Sequence, residues 1–127
     1  MFKIEMYVGL NVSKFPVSYK QGESLVLKNP EAFNHPTTTV NMVASTIKKA
    51  IENDNSLIIL SHCKFVLDLL GELIRLKKIE PNNVVIHVLD EQNNIEQDSG
   101  FDEDGYLVNW PVGFLSADFE EAENLFK

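Results

Sequence analysis

The chain has 127 residues, of which 44% are hydrophobic and 9% aromatic, so it is expected to be one domain (1–127) with a genuine core and not a disordered segment. Its formal net charge of −8 is concentrated: residues 90–127 hold one Lys against eleven Asp/Glu, whereas residues 1–89 hold ten Lys/Arg against eight acids. A surface of that sign repels phosphate backbones, and no apolar run approaches the roughly 18–20 residues of a membrane span, so direct nucleic-acid binding and a membrane location are both disfavoured. The acidic third reads either as a solubilising surface or as a face for a basic partner.

Cys63 is the one cysteine, which rules out an internal disulfide, and no basic segment followed by an apolar stretch opens the chain. A cytoplasmic location is the expectation. One Cys and three scattered His give no metal-ligand spacing, so neither a structural metal nor a cofactor is expected.

In chain order, residues 2–8 (FKIEMYV) alternate, with Phe2, Ile4, Met6 and Val8 opposite Lys3, Glu5 and Tyr7, which predicts a half-buried strand. Residues 24–28 (SLVLK) form a short apolar run suited to a buried strand, and Pro30 and Pro36 mark a loop after it. From Thr37 the period becomes helical through Val40, Val43, Ile47, Ala50 and Ile51, with the threonines at 37–39 as candidate caps and Asn53-Asp54-Asn55 as the stop. Residues 57–60 (LIIL) read as a strand covered on both faces. Val66, Leu69, Leu70, Leu73 and Leu76 return to helical spacing through about residue 78, and VVIHVL at 84–89 is another apolar strand. Strand, helix, strand, helix, strand predicts an α/β fold with a mostly parallel sheet flanked by helices. Shorter polar strands at about 94–98 and 105–108, split by Asp104-Gly105, predict a short antiparallel C-terminal hairpin, and residues 117–126 a marginal acidic helix.

Neither G-x-x-x-x-G-K-[ST] nor G-x-G-x-x-G occurs, and the six glycines are too scattered to cradle phosphates. Cys63 directly follows His62, and neighbours on a strand point to opposite faces, so the two do not form a ready nucleophile–base pair. The informative positions are strand ends, because open α/β sheets bind ligands at the carboxyl ends of their strands. Residues 24–28 run into Asn29-Pro30-Glu31, and residues 57–60 into Ser61-His62. If the two strands are neighbours, Asn29, Glu31 and His62 share one edge. A histidine at a strand end is more often a structural hydrogen-bonder than a catalyst.

Four stretches in order, YVGLNVSKFPV (7–17), LKNPEAFNHP (27–36), LSHCKFVL (60–67) and FDEDGYLVNWPVGFLS (101–116), resemble the C-terminal half of the ABC-type, RecF/OLD-like AAA ATPases. The resemblance implies a P-loop NTPase-like C-terminal half without the P-loop. It makes residues 24–28 the Walker B strand, His62 the counterpart of the switch histidine, and the segment after Tyr7 the signature region. Glu31, His35 and the two prolines match the family pattern. Lys28 stands where a metal-holding acid belongs, and an ammonium neither ligates nor attracts Mg²⁺. Asn29 occupies the water-polarising position and cannot act as a base, and Lys64 replaces the acid that follows the switch histidine.

The resemblance therefore implies a truncated, non-catalytic ATPase-like interaction or regulatory module with no catalytic residue of its own. Such a module suits a decoy inhibitor of a related defence ATPase, encoded by a phage or mobile element. Asp102, Glu103, Asp104, Trp110 and Phe114 are its candidate interaction residues. Two alternatives stay open: half of a split ATPase completed in trans by a P-loop subunit, and an unrelated acidic inhibitor that mimics nucleic-acid charge. The expected partner is a protein. A truncated sheet leaves an edge to be managed, either by the strand at 2–8 or by pairing of two copies in a homodimer.

Overall fold

The computed structural model describes residues 2–9, 12, 24–30, 35–61 and 64–110. Its elements are β1 (Lys3–Val8), β2 (Ser24–Lys28), α1 (Pro36–Glu52), β3 (Ser56–Ser61), α2 (Lys64–Arg75), a 3-10 turn (Pro81–Asn83), β4 (Val84–Leu89), β5 (Ile95–Phe101) and β6 (Leu107–Val108). They form one mixed six-stranded sheet in the order β2-β3-β1-β4-β5-β6. The first four strands of that order are parallel, while β5 and β6 are antiparallel additions. The fold class is α/β, as the alternation of periods implies.

The alternating strand does not manage an edge. β1 lies in the middle of the sheet, hydrogen-bonded to β3 on one side and β4 on the other. Its alternation is that of the expected half-buried strand. Ile4, Met6 and Val8 are fully buried under the helices, and the other face of a central strand carries Glu5 and Tyr7. Among the described residues the sheet edges are β2 and β6.

Both helices pack on one face. Val43, Ile47 and Ala50 of α1 and Val66, Leu67, Leu70 and Ile74 of α2 share a single cluster with Ile4, Met6, Val8, Leu57, Ile59, Ile86 and Val88. On the opposite face Ile58, Leu60 and Leu89 are buried with Val12, against half-buried Tyr7 and Val26. The continuous LIIL run follows directly, since β3 buries side chains on both faces.

α1 begins one residue before the threonines. Proline is tolerated at the first helical position, where its missing N–H would be unsatisfied anyway, and Pro36 takes that place. His35 thereby becomes the cap, its Nδ1 accepting from the Thr37 N–H at 3.1 Å. Thr39 is buried instead, its hydroxyl reaching the Pro30 carbonyl at 3.4 Å and the His35 carbonyl at 3.3 Å.

The two helices end alike. Asp54 N–H bonds Ile51 O at 3.2 Å and Asn55 N–H bonds Ala50 O at 2.9 Å; Lys77 N–H bonds Ile74 O and Lys78 N–H bonds Leu73 O, both at 2.9 Å. This 5→2 and 6→1 pair is the Schellman closure, which places its C′ residue in the left-handed region. Here C′ is Asp54 (φ 52) and Lys77 (φ 61) instead of the usual glycine. The closure also explains why α2 stops at Arg75 and not near 78.

The two hairpin turns repeat one design. Asp90 Oδ1 accepts from Gln92 and Asn94 N–H groups, and Asp102 Oδ1 accepts from Asp104 and Tyr106 N–H groups, all four bonds at 2.9 Å. The fourth turn residue is left-handed in both, Asn93 at φ 62 and Gly105 at φ 84. Asp-Glu-x-Asn/Gly-x is thus a turn signal used twice, in which the aspartate side chain substitutes for a backbone acceptor. Of the two strands expected at about 94–98 and 105–108, the first is longer (Ile95–Phe101), because the turn starts at Asp102, and the second shorter (Leu107–Val108).

Candidate functional site

The carboxyl ends of β2 and β3 are neighbours, parallel and in register with Lys28 opposite Leu60. The apolar run of β2 fixes which way Lys28 faces. Leu25 and Leu27 pack toward the helices and Val26 toward the opposite cluster, so Lys28 shares the side of Val26. It is exposed and makes no ion pair among the described residues. Asn29 follows with φ 46, a left-handed conformation that asparagine accepts more readily than most residues. Its N–H donates to the Leu60 carbonyl at 2.6 Å, carrying the β2–β3 ladder one step beyond the strand. Buried Pro30 then ties the loop to α1 through Thr39. Glu31 and His62 lie outside the described residues. Among the described residues this end of the sheet therefore presents an ammonium and an amide, and no carboxylate.

The acidic candidates behave differently from one another. Asp102 is committed to its own turn through two backbone N–H bonds. Glu103 and Asp104 are exposed at its tip. Trp110 is half-buried and packs against the main core. Of these four residues, only Glu103 and Asp104 are presented freely to solvent. Phe114 lies outside the described residues.

A further constellation lies on the sheet face away from the helices. His87 of β4 is in register with Tyr7 of β1 on one side and Asp98 of β5 on the other. Its Nδ1 lies 2.6 Å from Asp98 Oδ1, and its Nε2 lies 3.5 Å from Glu5 Oε2. The Tyr7 ring stacks on the imidazole with centroids 4.7 Å apart, and the Tyr7 hydroxyl donates to Glu5 Oε2 at 3.2 Å. Lys3 Nζ closes the row at 3.4 Å from Glu5 Oε1. Burial, and then the charge of Glu5 beside it, its hydrogen bond and the charge of Asp98, hold the Tyr7 phenol above its ordinary value. The row thus sets an imidazole between two carboxylates.

Sequence reasoning missed this row. The signal for half of it was present, since Glu5 and Tyr7 share a face by period two. What brings His87 and Asp98 to them is strand order and register, which no local pattern carries.

Comparison with protein-family models, with curated proteins and with solved structures finds no match to this chain. No family is assigned. Its chemistry is read from its own residues. No helix among the described residues is long and apolar enough to cross a membrane.

Proposed function

We propose that this chain is a non-catalytic, ATPase-like interaction or regulatory module that acts on a protein partner in the cytoplasm. The observation that supports the reading is Lys28. It is an exposed ammonium, without an ion pair among the described residues, at the carboxyl end of β2, beside the end of β3. Nucleotide hydrolysis depends on Mg²⁺-assisted charge stabilisation worth several kcal/mol, and a cation at that place opposes the metal. An α/β sheet with that chemistry replaced suits a protein that presents a surface. Within this reading, the partner is a related ATPase, and inhibition as a phage or mobile-element decoy is the role the acidic C-terminal third fits best.

Titration calorimetry with Mg-ATP is expected to give no heat, and phosphate-release assays no turnover. Lys28→Glu should leave both unchanged, because no phosphate-cradling motif occurs in the sequence. Mixing with a related ATPase should alter its hydrolysis rate and give co-elution. Neither effect appearing across several such ATPases would remove the reading.

Completion in trans as a split ATPase is less well supported by the sheet. β1 is paired on both sides, so the centre of the sheet has no gap for another chain's strand. Among the described residues only the β2 and β6 edges remain for it.

A further inference from the structure

His87 is flanked by carboxylates from two different strands. Its Nδ1 lies 2.6 Å from Asp98 Oδ1 of β5, and its Nε2 lies 3.5 Å from Glu5 Oε2 of β1. The imidazole is largely covered, with 15% of its side chain exposed, while the Asp98 side chain is 61% exposed. A neutral imidazole has one N–H, so it donates to one of these oxygens and turns a lone pair toward the other. Only the imidazolium donates to both.

The two carboxylates depend on it unequally. Glu5 is also held by the Tyr7 hydroxyl at 3.2 Å and by Lys3 Nζ at 3.4 Å. Among the described residues, His87 is the one hydrogen-bond partner of the Asp98 carboxylate. That bond spans the junction of the fold, because β4 is the outer parallel strand and β5 begins the antiparallel arm. Around the imidazole, β1 contributes Lys3, Glu5 and Tyr7, and β5 contributes Asp98, with exposed Glu96 two residues along. The rest of this face is apolar at Val12, Ile58, Leu60 and Leu89, and the helices lie on the other side of the sheet. Lys3 against Glu5 and Asp98 leaves one excess carboxylate, which a proton on His87 neutralises.

We propose that His87 is a pH-sensitive clasp, fastening the β5–β6 arm to the parallel sheet when charged and slackening it when neutral. Hydrogen bonds with an ionised donor and acceptor are stronger than those with a neutral donor. Loss of the proton therefore weakens the Asp98 bond and removes the one to Glu5. β1 and β4 stay joined by their backbone ladder and shared core, so the change falls on the arm. Histidine ordinarily changes charge between about pH 5 and 8. The clasp is closed at the acid end of that window and opens as pH rises through it. The proposal stands on the row alone and does not depend on the ATPase-like reading.

The test is amide hydrogen exchange of the full ¹⁵N-labelled chain by NMR, at about pH 5.5 and about pH 7.5, with each rate divided by its unstructured value. Carboxylates ordinarily stay ionised across that interval. Protection of the β5 amides relative to those of β3 should be about threefold higher at the lower pH, the scale of one solvent-facing charge pair. His87→Gln keeps a polar side chain that takes no charge, and it should abolish the rise. Asp98→Asn keeps the imidazole, removes the charge it faces, and should abolish the rise as well. Comparison with each variant cancels the response of His62 and of His35, whose Nδ1 accepts from the Thr37 N–H and would lose that bond on protonation. A wild-type ratio independent of pH would overturn the proposal, as would an equal rise in either variant. Thermal melts establish that the variants fold; if His87→Gln does not, Asp98→Asn decides alone.

Discussion

Gly71 of α2 and Gly105 of the second hairpin turn meet backbone to backbone. A Cβ on Gly71 would lie 2.5 Å from the Gly105 carbonyl oxygen and 3.2 Å from Phe101 Cε1, and a Cβ on Gly105 would collide with the Gly71 carbonyl. This contact seats the antiparallel arm on the second helix, and it dictates why the turn reads Asp-Gly.

Alanine at either position should therefore destabilise the protein. Overpacking against rigid backbone costs about 1–3 kcal/mol, and Gly105→Ala should be the worse, because its φ of 84 adds left-handed strain. Gly100→Ala is the control, since its nearest neighbour, the Val84 carbonyl oxygen, is 4.0 Å away. Urea denaturation of the three variants checks the order; equal losses would refute the contact.

The paired aspartate turns make a second prediction. Asp90→Ala and Asp102→Ala each strip an acceptor from two backbone N–H groups and should cost about 1–2 kcal/mol, while Asn at either site keeps a side-chain oxygen and should cost less. Asp102→Ala should also loosen the seat on Gly71. Hydrogen exchange would show this as lost protection in α2 that Asp90→Ala does not produce.

Helix termination predicts a gain. Lys77 holds φ 61 and is exposed, so Lys77→Gly should relieve left-handed strain and raise stability by up to about 1 kcal/mol. Asp54 has nearly the same φ, but its Oδ1 accepts from the Phe2 N–H at 2.9 Å, tying the start of β1 to the end of α1. Asp54→Gly should thus gain less than Lys77→Gly or lose, and paired thermal melts decide.

Tyr7 makes the folded state sensitive to alkali. Its phenol is held above the ordinary value of 10.0, first by burial and then by Glu5. A group raised on folding contributes its full stabilisation below its unfolded value and loses it as pH climbs through the folded one. Stability of the wild type should therefore fall above about pH 10, and Tyr7→Phe should show a shallower fall. Urea midpoints at increasing pH measure the difference between the two proteins, so that the other titrating groups cancel. Parallel curves would place Tyr7 outside the pH response.

The elements themselves were legible. Period two located β1, helical spacing α1 and α2, and continuous apolar runs β3 and β4, because burial is a local demand on which residues an element carries. Helix ends were less so: His35 displaced the threonines as cap through Pro36, and Lys77 closed α2 early without the glycine that would have announced it. Asn29 and Lys28 were readable as a strand end, since polarity follows the apolar run. The Glu5–Tyr7–His87–Asp98 row was not, as its members lie on different elements.

Composition and spacing alone determined an α/β chain with an acidic C-terminal third, and they placed Lys28 at the end of a short apolar strand, expected to be buried, which the structure makes a half-buried edge strand. Only the tertiary structure decided that β1 sits at the centre of the sheet, that Gly71 receives Gly105, and that apolar residues of α1 and α2 line one groove. The physical reason is range. Periodicity reflects which side of an element meets the core, whereas strand order and helix contact are set by packing between residues far apart in the chain.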